Sequence, residues 1–174
     1  RQQEVADFLS TLSNVDRARV VVMDMHEPFR QAVALCLPRA KVVVDKFHVL
    51  AHVHRALEQV RTGVEPRQGK RGELYHARYL LLTARERLTP AQRTTLTTLL
   101  GRYPQLHRAW LLKEWFRAWY RSGSRASAEA ALMRWESSVR AHGPAPFKAL
   151  FPMLRLWREE ILNYFDFPYT NGFI

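Results

Sequence analysis

The chain has 174 residues, 47% of them hydrophobic, and sets 27 Lys and Arg against 16 Asp and Glu, for a formal charge of +11. That is enough apolar content for one domain or two small ones, and the basic excess points to a polyanionic partner, nucleic acid first, although an arginine-rich composition also raises the pI without any ligand. The single Cys36 rules out an intrachain disulfide framework, no apolar stretch approaches the roughly 20 residues of a membrane span, and Arg1-Gln-Gln-Glu4 is no signal peptide, so the reading expects a cytoplasmic protein with no membrane partner.

In chain order, residues 1 to about 12 have helical spacing, with Val5, Phe8, Leu9 and Leu12 on one face. Two short apolar runs follow, Val20-Val-Val-Met23 and Val42-Val-Val44, each ending in an aspartate, Asp24 and Asp45. Runs of this kind bounded by charge predict strands buried on both faces. Between them Glu27 to Leu37 is helical, with Cys36 placed on its apolar face as a buried free thiol and Pro38 as the stop. The result is a strand–helix–strand unit, whose right-handed crossover makes the strands parallel. From Phe47 the pattern turns helical through Val49, Val53, Ala56, Leu57 and Val60.

A basic, polar linker from Arg61 to Gly72 comes next, and Arg67, Lys70 and Arg71 in it are candidate phosphate contacts, as is Lys46. Beyond it the pattern predicts helices only. Leu74 to Leu88 is one. Thr89-Pro90, a cap followed by proline at the first helical position, opens a second that ends near Gly101. Tyr103 to Tyr120 is a third, and Ser124 or Ser127 opens a fourth that runs to about His142. Gly143-Pro-Ala-Pro146 breaks the chain, and Phe147 to Phe165 is the last helical stretch, interrupted or started by Pro152. Trp110, Trp115 and Trp119 are spaced to form a helix face, read as the core of a helical subdomain; a base-stacking platform is the other reading.

The two aspartates carry the chemistry. Both fall at the carboxyl ends of parallel strands, where open α/β sheets bind ligands. Neighbouring strands lie roughly 4.8 Å apart, close enough for two carboxylates to share a divalent ion or its water shell. Each aspartate could equally cap the helix that follows it. His48, three residues beyond Asp45, favours the metal reading.

Asp24-Met25, then Pro38-Arg-Ala-Lys-Val-Val-Val-Asp45-Lys-Phe-His48-Val, then Trp157-Arg-Glu-Glu-Ile-Leu-Asn-Tyr-Phe165, then Thr170-Asn-Gly172 stand in a distinctive order. With these motifs the chain resembles the DDE-type transposases of bacterial insertion sequences, in the ISL-three group, over nearly its whole length. The resemblance implies an α/β plus all-α protein: part of an RNase H-like sheet at residues 1–60, a helical insertion at 61–146, and a stretch at 147–174 returning towards the catalytic core. It implies DNA cleavage and strand transfer at insertion-sequence ends, with three acidic residues holding Mg2+ (or Mn2+), DNA as partner and a homo-oligomer as the working form. Hard oxygen ligands suit magnesium, and paired ions stabilise both the attacking and the leaving oxygen.

Under the resemblance, Asp24 matches the second acidic residue of the triad and the metal ligand, while Asp45 and His48 match an auxiliary Asp-x-x-His motif. His48 is expected to orient Asp45 or hold a DNA phosphate rather than bind metal, and Asp45 is the alternative triad member. The first acidic residue is expected on a strand that no segment before Val20 provides; Asp7 and Asp16 are poor substitutes. The third, a glutamate, is expected just beyond Ile174, and Glu159 and Glu160 are read as solvent-facing. With the missing initiating Met, this reads as a piece of a longer protein that is inactive alone, with an apolar strand edge that must be covered or self-associate. A non-catalytic DNA-binding or transposase-assembly module is the second reading.

Overall fold

A computed structural model describes residues 4, 7, 11, 17–64 and 72–171. The helix expected before residue 12 falls mostly outside the described residues, as do Asp16, Arg67, Lys70, Arg71 and Gly172. The elements run β1 (Val20–Met23), α1 (Glu27–Cys36), β2 (Lys41–Val44), α2 (Lys46–Val64), α3 (Glu73–His76), α4 (Arg78–Leu82), a 3-10 turn (Arg85–Arg87), α5 (Pro90–Arg102), α6 (Pro104–Trp119), α7 (Arg125–His142), α8 (Ala145–Lys148), α9 (Phe151–Leu156), α10 (Arg158–Leu162) and a 3-10 turn (Asn163–Phe165). The chain divides into two compact units, one of residues 1–49, 122–129 and 153–174, the other of 50–121 and 130–152.

In the first unit β1 and β2 pair in parallel, Val20 opposite Lys41 and Met23 opposite Val44. Among the described residues the sheet has these two strands. Residues of a parallel strand bond alternately to either side. Lys41 and Asp45 donate to Arg19 and Met23 across the pair, so the Val42 carbonyl faces away from β1. There the side chain of Asn163 donates to it at 2.8 Å. The 3-10 turn and α10 thus pack on β2, with Trp157, Ile161, Leu162 and Tyr164 buried beside Val43 and Val44. The Trp157–Phe165 motif acquires its structural role here: it covers the strand that leads into Asp45.

Several expectations need correction in this unit. Burial on both faces holds for Met23, Val43 and Val44, whereas Val20, Val21, Val22 and Val42 are half-buried, because two strands cover little of each other. Cys36 is exposed rather than buried. The inward face of α1 is Ala32 and Val33, with Leu37 closing the end, and the narrow sheet does not extend under the last turn. Glu160 is not solvent-facing. Arg30 donates to it at 3.1 Å and lies 4.5 Å over the Trp157 ring, which explains why the last helix keeps an acid on its inner side. Glu159 does stay exposed and pairs with Arg125.

The second unit is helical. At its start Thr89 accepts from the Gln92 amide while the Gln92 side chain accepts from Thr89, a reciprocal cap that fixes the first residue of α5 as Thr89-Pro90 foretells. The expected single helix over Leu74 to Leu88 is instead α3, α4 and a 3-10 turn, because the chain turns at Ala77 and Thr83 to bury Leu74, Leu81 and Leu88 separately. The stretch from Phe147 is likewise broken, into α8, α9 and α10, with Pro152 in the first turn of α9. At the end of α7 a Cβ on Gly143 would lie 2.6 Å from the Val139 carbonyl oxygen, so only glycine fits there.

The aromatics do form this unit's core. Trp135 is fully buried, donates from Nε1 to the Leu112 carbonyl at 3.0 Å and meets Phe116 edge-on at 4.9 Å. Trp110 and Trp119 are buried too, on opposite sides of α6, but Trp115 is exposed, so the three do not form one buried face. Lys113 is fully buried among them. Its Nζ donates to the Thr83 carbonyl and to Glu114, which Arg117 also holds, so the charge is compensated on site. Burial still pushes that amine below its ordinary value.

Candidate active site

The register of the sheet decides the geometry. Because Met23 stands opposite Val44, the next residues, Asp24 and Asp45, emerge side by side at the carboxyl edge. The two carboxylates then find different environments. Asp45 is buried, its side chain 4% exposed, and accepts from the Phe47 amide at 3.0 Å while its carbonyl accepts from His48. It therefore caps α2, satisfying amides that the first helical turn leaves without partners. Asp24 caps nothing: α1 starts at Glu27 with His26 in the capping position, and no side chain there bonds to the helix amides. Its carboxylate is 54% exposed.

His48 joins the two. It sits in the first turn of α2, with Nδ1 3.0 Å from Asp24 Oδ1 and 3.8 Å from Asp45 Oδ2. Acceptors on both sides place the ring proton on Nδ1 and leave Nε2 turned from the carboxylates. The expectation that His48 orients Asp45 is thus shifted, since the shorter contact is to Asp24. Lys46, one residue past Asp45, donates to the Tyr164 hydroxyl at 3.1 Å and lies 5.2 Å over that ring. This tethers its ammonium at the same strand edge.

Sequence reasoning passed over three residues that shape this edge. Asn163 holds β2 and itself accepts from Arg125 at 2.7 Å. Tyr164 anchors Lys46. His26, two residues past Asp24, has a buried Nδ1 without a hydrogen-bond partner. Asn163 and Tyr164 were visible only as letters in the Trp157–Phe165 motif, and His26 had no signal beyond its closeness to Asp24.

In donor chemistry the pair fits a hard divalent ion, which prefers carboxylate oxygens and tolerates an exposed, water-completed position such as Asp24 provides. Among the described residues no group of three or more His, Cys, Asp or Glu is arranged to hold a metal ion. No helix among them is long and apolar enough to cross a membrane.

An α/β unit with paired acids at one strand edge, joined to a helical unit on a strongly basic chain, describes a class and not yet a family. The family is given by the whole sequence: residues 1–174 match the model of the DDE transposases of the ISL-three group, described as transposase. The chain belongs to this transposase family, whose members act on DNA and generally use divalent metals. No curated protein and no solved structure gives a significant match.

Proposed function

We propose that this chain carries part of the catalytic centre of a transposase that cleaves DNA and transfers strands at insertion-sequence ends, with Asp24 and Asp45 as its metal-facing acids. The observation that carries the reading is the juxtaposition of Asp24, His48 and Asp45 at the carboxyl edge of the parallel pair. In this reading the first unit is an RNase H-like core and the second a helical insertion. Asp24, exposed and uncommitted to capping, is the principal Mg2+ or Mn2+ ligand; Asp45, half-used as a cap, contributes its Oδ2. Such an ion, when bound, would polarise the scissile phosphate and lower the pKa of an attacking water.

The protein's own groups do the rest. Asp45 fixes the start of α2 and with it the position of His48. His48 holds the Asp24 carboxylate in one orientation through Nδ1 and presents Nε2 to solvent or to a DNA phosphate. Lys46, and the basic linker residues Arg67, Lys70 and Arg71, supply phosphate contacts. Two carboxylates are fewer oxygen ligands than a two-metal centre needs, so the chain alone is expected to leave DNA uncut. The outer edge of β1, unpaired among the described residues, is expected to drive self-association, which light scattering on the purified chain would reveal.

The second reading, a non-catalytic binding or assembly module, is favoured by the capping role of Asp45. Mn2+ binding followed by electron paramagnetic resonance separates the two. The catalytic reading expects a bound-Mn2+ signal that Asp24→Asn removes while the melting temperature stays put. Equal binding by the variant, or none by the parent chain, would overturn it in favour of the module.

A further inference from the structure

The second unit holds a basic, carboxylate-free surface far in sequence from the acidic edge. Two clefts adjoin on it and share Leu111. The first, about 260 Å³, lies between the Arg85–Arg87 turn, α5 and α6, with Arg85, Arg93 and His107 around an apolar floor of Leu88 and Leu96. The second, about 280 Å³, lies between α6 and α7 and is bounded by Arg108, Trp115 and His142. No Asp or Glu lines either one.

The arginines at these clefts belong to the part of the unit's basic charge that ion pairs do not neutralise. In the same unit Arg61, Arg78, Arg102, Arg117 and Arg140 each face a carboxylate. Among the described residues the guanidinium groups of Arg85, Arg93 and Arg108 have no such partner, as is also true of Arg55, Arg87 and Arg134; the backbone amide of Arg85 donates to Glu114, and Arg108 is held in place by donating to the His142 carbonyl at 3.0 Å. Between these cations Leu111 and Trp115 expose much of their surface. From His107 to Trp115 the strip runs about 12 Å along α6.

Unpaired guanidinium groups around exposed apolar and aromatic side chains suit a ligand that repeats negative charge and presents flat apolar faces between the charges. Unpaired DNA does both. A duplex keeps its bases stacked inside and would use only the cations, leaving the apolar floor and Trp115 without a role. A flat anionic bilayer would not enter two concave clefts.

We propose that the α6 face bearing His107, Arg108, Leu111 and Trp115, flanked by Arg85 and Arg93, binds an unpaired DNA segment, phosphates on the arginines and a base on Trp115. The proposal rests on the transposase reading for its DNA partner but not on Asp24 or Asp45.

The test is fluorescence anisotropy with a labelled twelve-nucleotide oligothymidylate and a labelled hairpin duplex, across a salt series. Trp115→Ala is expected to weaken oligothymidylate binding about tenfold with the salt slope unchanged and duplex binding unaffected, and Trp115→Phe to restore most of the loss. Arg85→Gln with Arg93→Gln is expected to lower the salt slope by about 1.4, at roughly 0.7 per phosphate contact on a single strand. Parent binding that none of the face variants alters would overturn the proposal while leaving a DNA-acting protein. Parent binding to phosphatidylserine vesicles and to neither DNA would overturn it in favour of a lipid surface, and with it the DNA reading.

Discussion

Asp45 offers a way to separate stability from metal binding, because one side chain is expected to serve both. Its Oδ1 accepts from the Phe47 amide at 3.0 Å, at a position almost fully shielded from water. Asp45→Ala removes that acceptor and leaves a partly buried amide unpaired. Cap removal costs about 1 kcal/mol on average and up to roughly 2 where the donor is buried, so about 1.5 kcal/mol is expected here. For a chain of this size that is a fall of about 4 °C in Tm. Asp45→Asn keeps a capping oxygen of equal quality and is expected to move Tm by less than about 1 °C. Both substitutions remove the negative charge and should weaken Mn2+ binding alike. Circular dichroism melts of the parent and two variants give the stability term, and exchange of the Phe47 amide gives the cap directly. A loss in Asp45→Asn as large as in Asp45→Ala would refute the capping argument and make the charge itself the stabilising feature.

Three further outcomes are expected. Asn163→Ala leaves the Val42 carbonyl without its donor and removes one acceptor from Arg125, which keeps Glu159 and Asp166, and should cost about 2 kcal/mol in chemical denaturation. Lys113→Met, similar in length and volume, should change stability by less than about 1 kcal/mol because Glu114 keeps Arg117, whereas Lys113→Ala opens a cavity and should cost about 3 kcal/mol. His54 is held below its ordinary value of 6.5 by burial and by the Lys113 and Arg117 charges, so on acidification the unfolded chain takes up its proton first. The fold should therefore lose stability as pH falls from about 6.5, and a His54→Phe variant should flatten the denaturation midpoint over that range.

Much of the architecture was legible locally. Apolar runs marked both strands, and parallel pairing followed from a crossover whose hand is nearly invariant. Thr89-Pro90, Ser124 and Gly143-Pro144 set helix ends within a residue or two, because caps and proline act on their own backbone. Helix breaks without such a residue, at Ala77 and Trp157, were missed, since there the chain bends to bury side chains against distant partners.

At the site the division is the same. The sequence by itself determined that Asp24 and Asp45 end neighbouring strands and that Asp45 can cap α2, for both depend on spacing along the backbone. Only the tertiary structure decided that His48 turns chiefly to Asp24, that Asn163 secures Val42 from 121 positions away, that Glu160 lies under Arg30, and that Cys36 faces water. Periodicity tells which face of an element is apolar. What covers that face, and which polar partner waits there, is settled by the packing of segments remote in the chain.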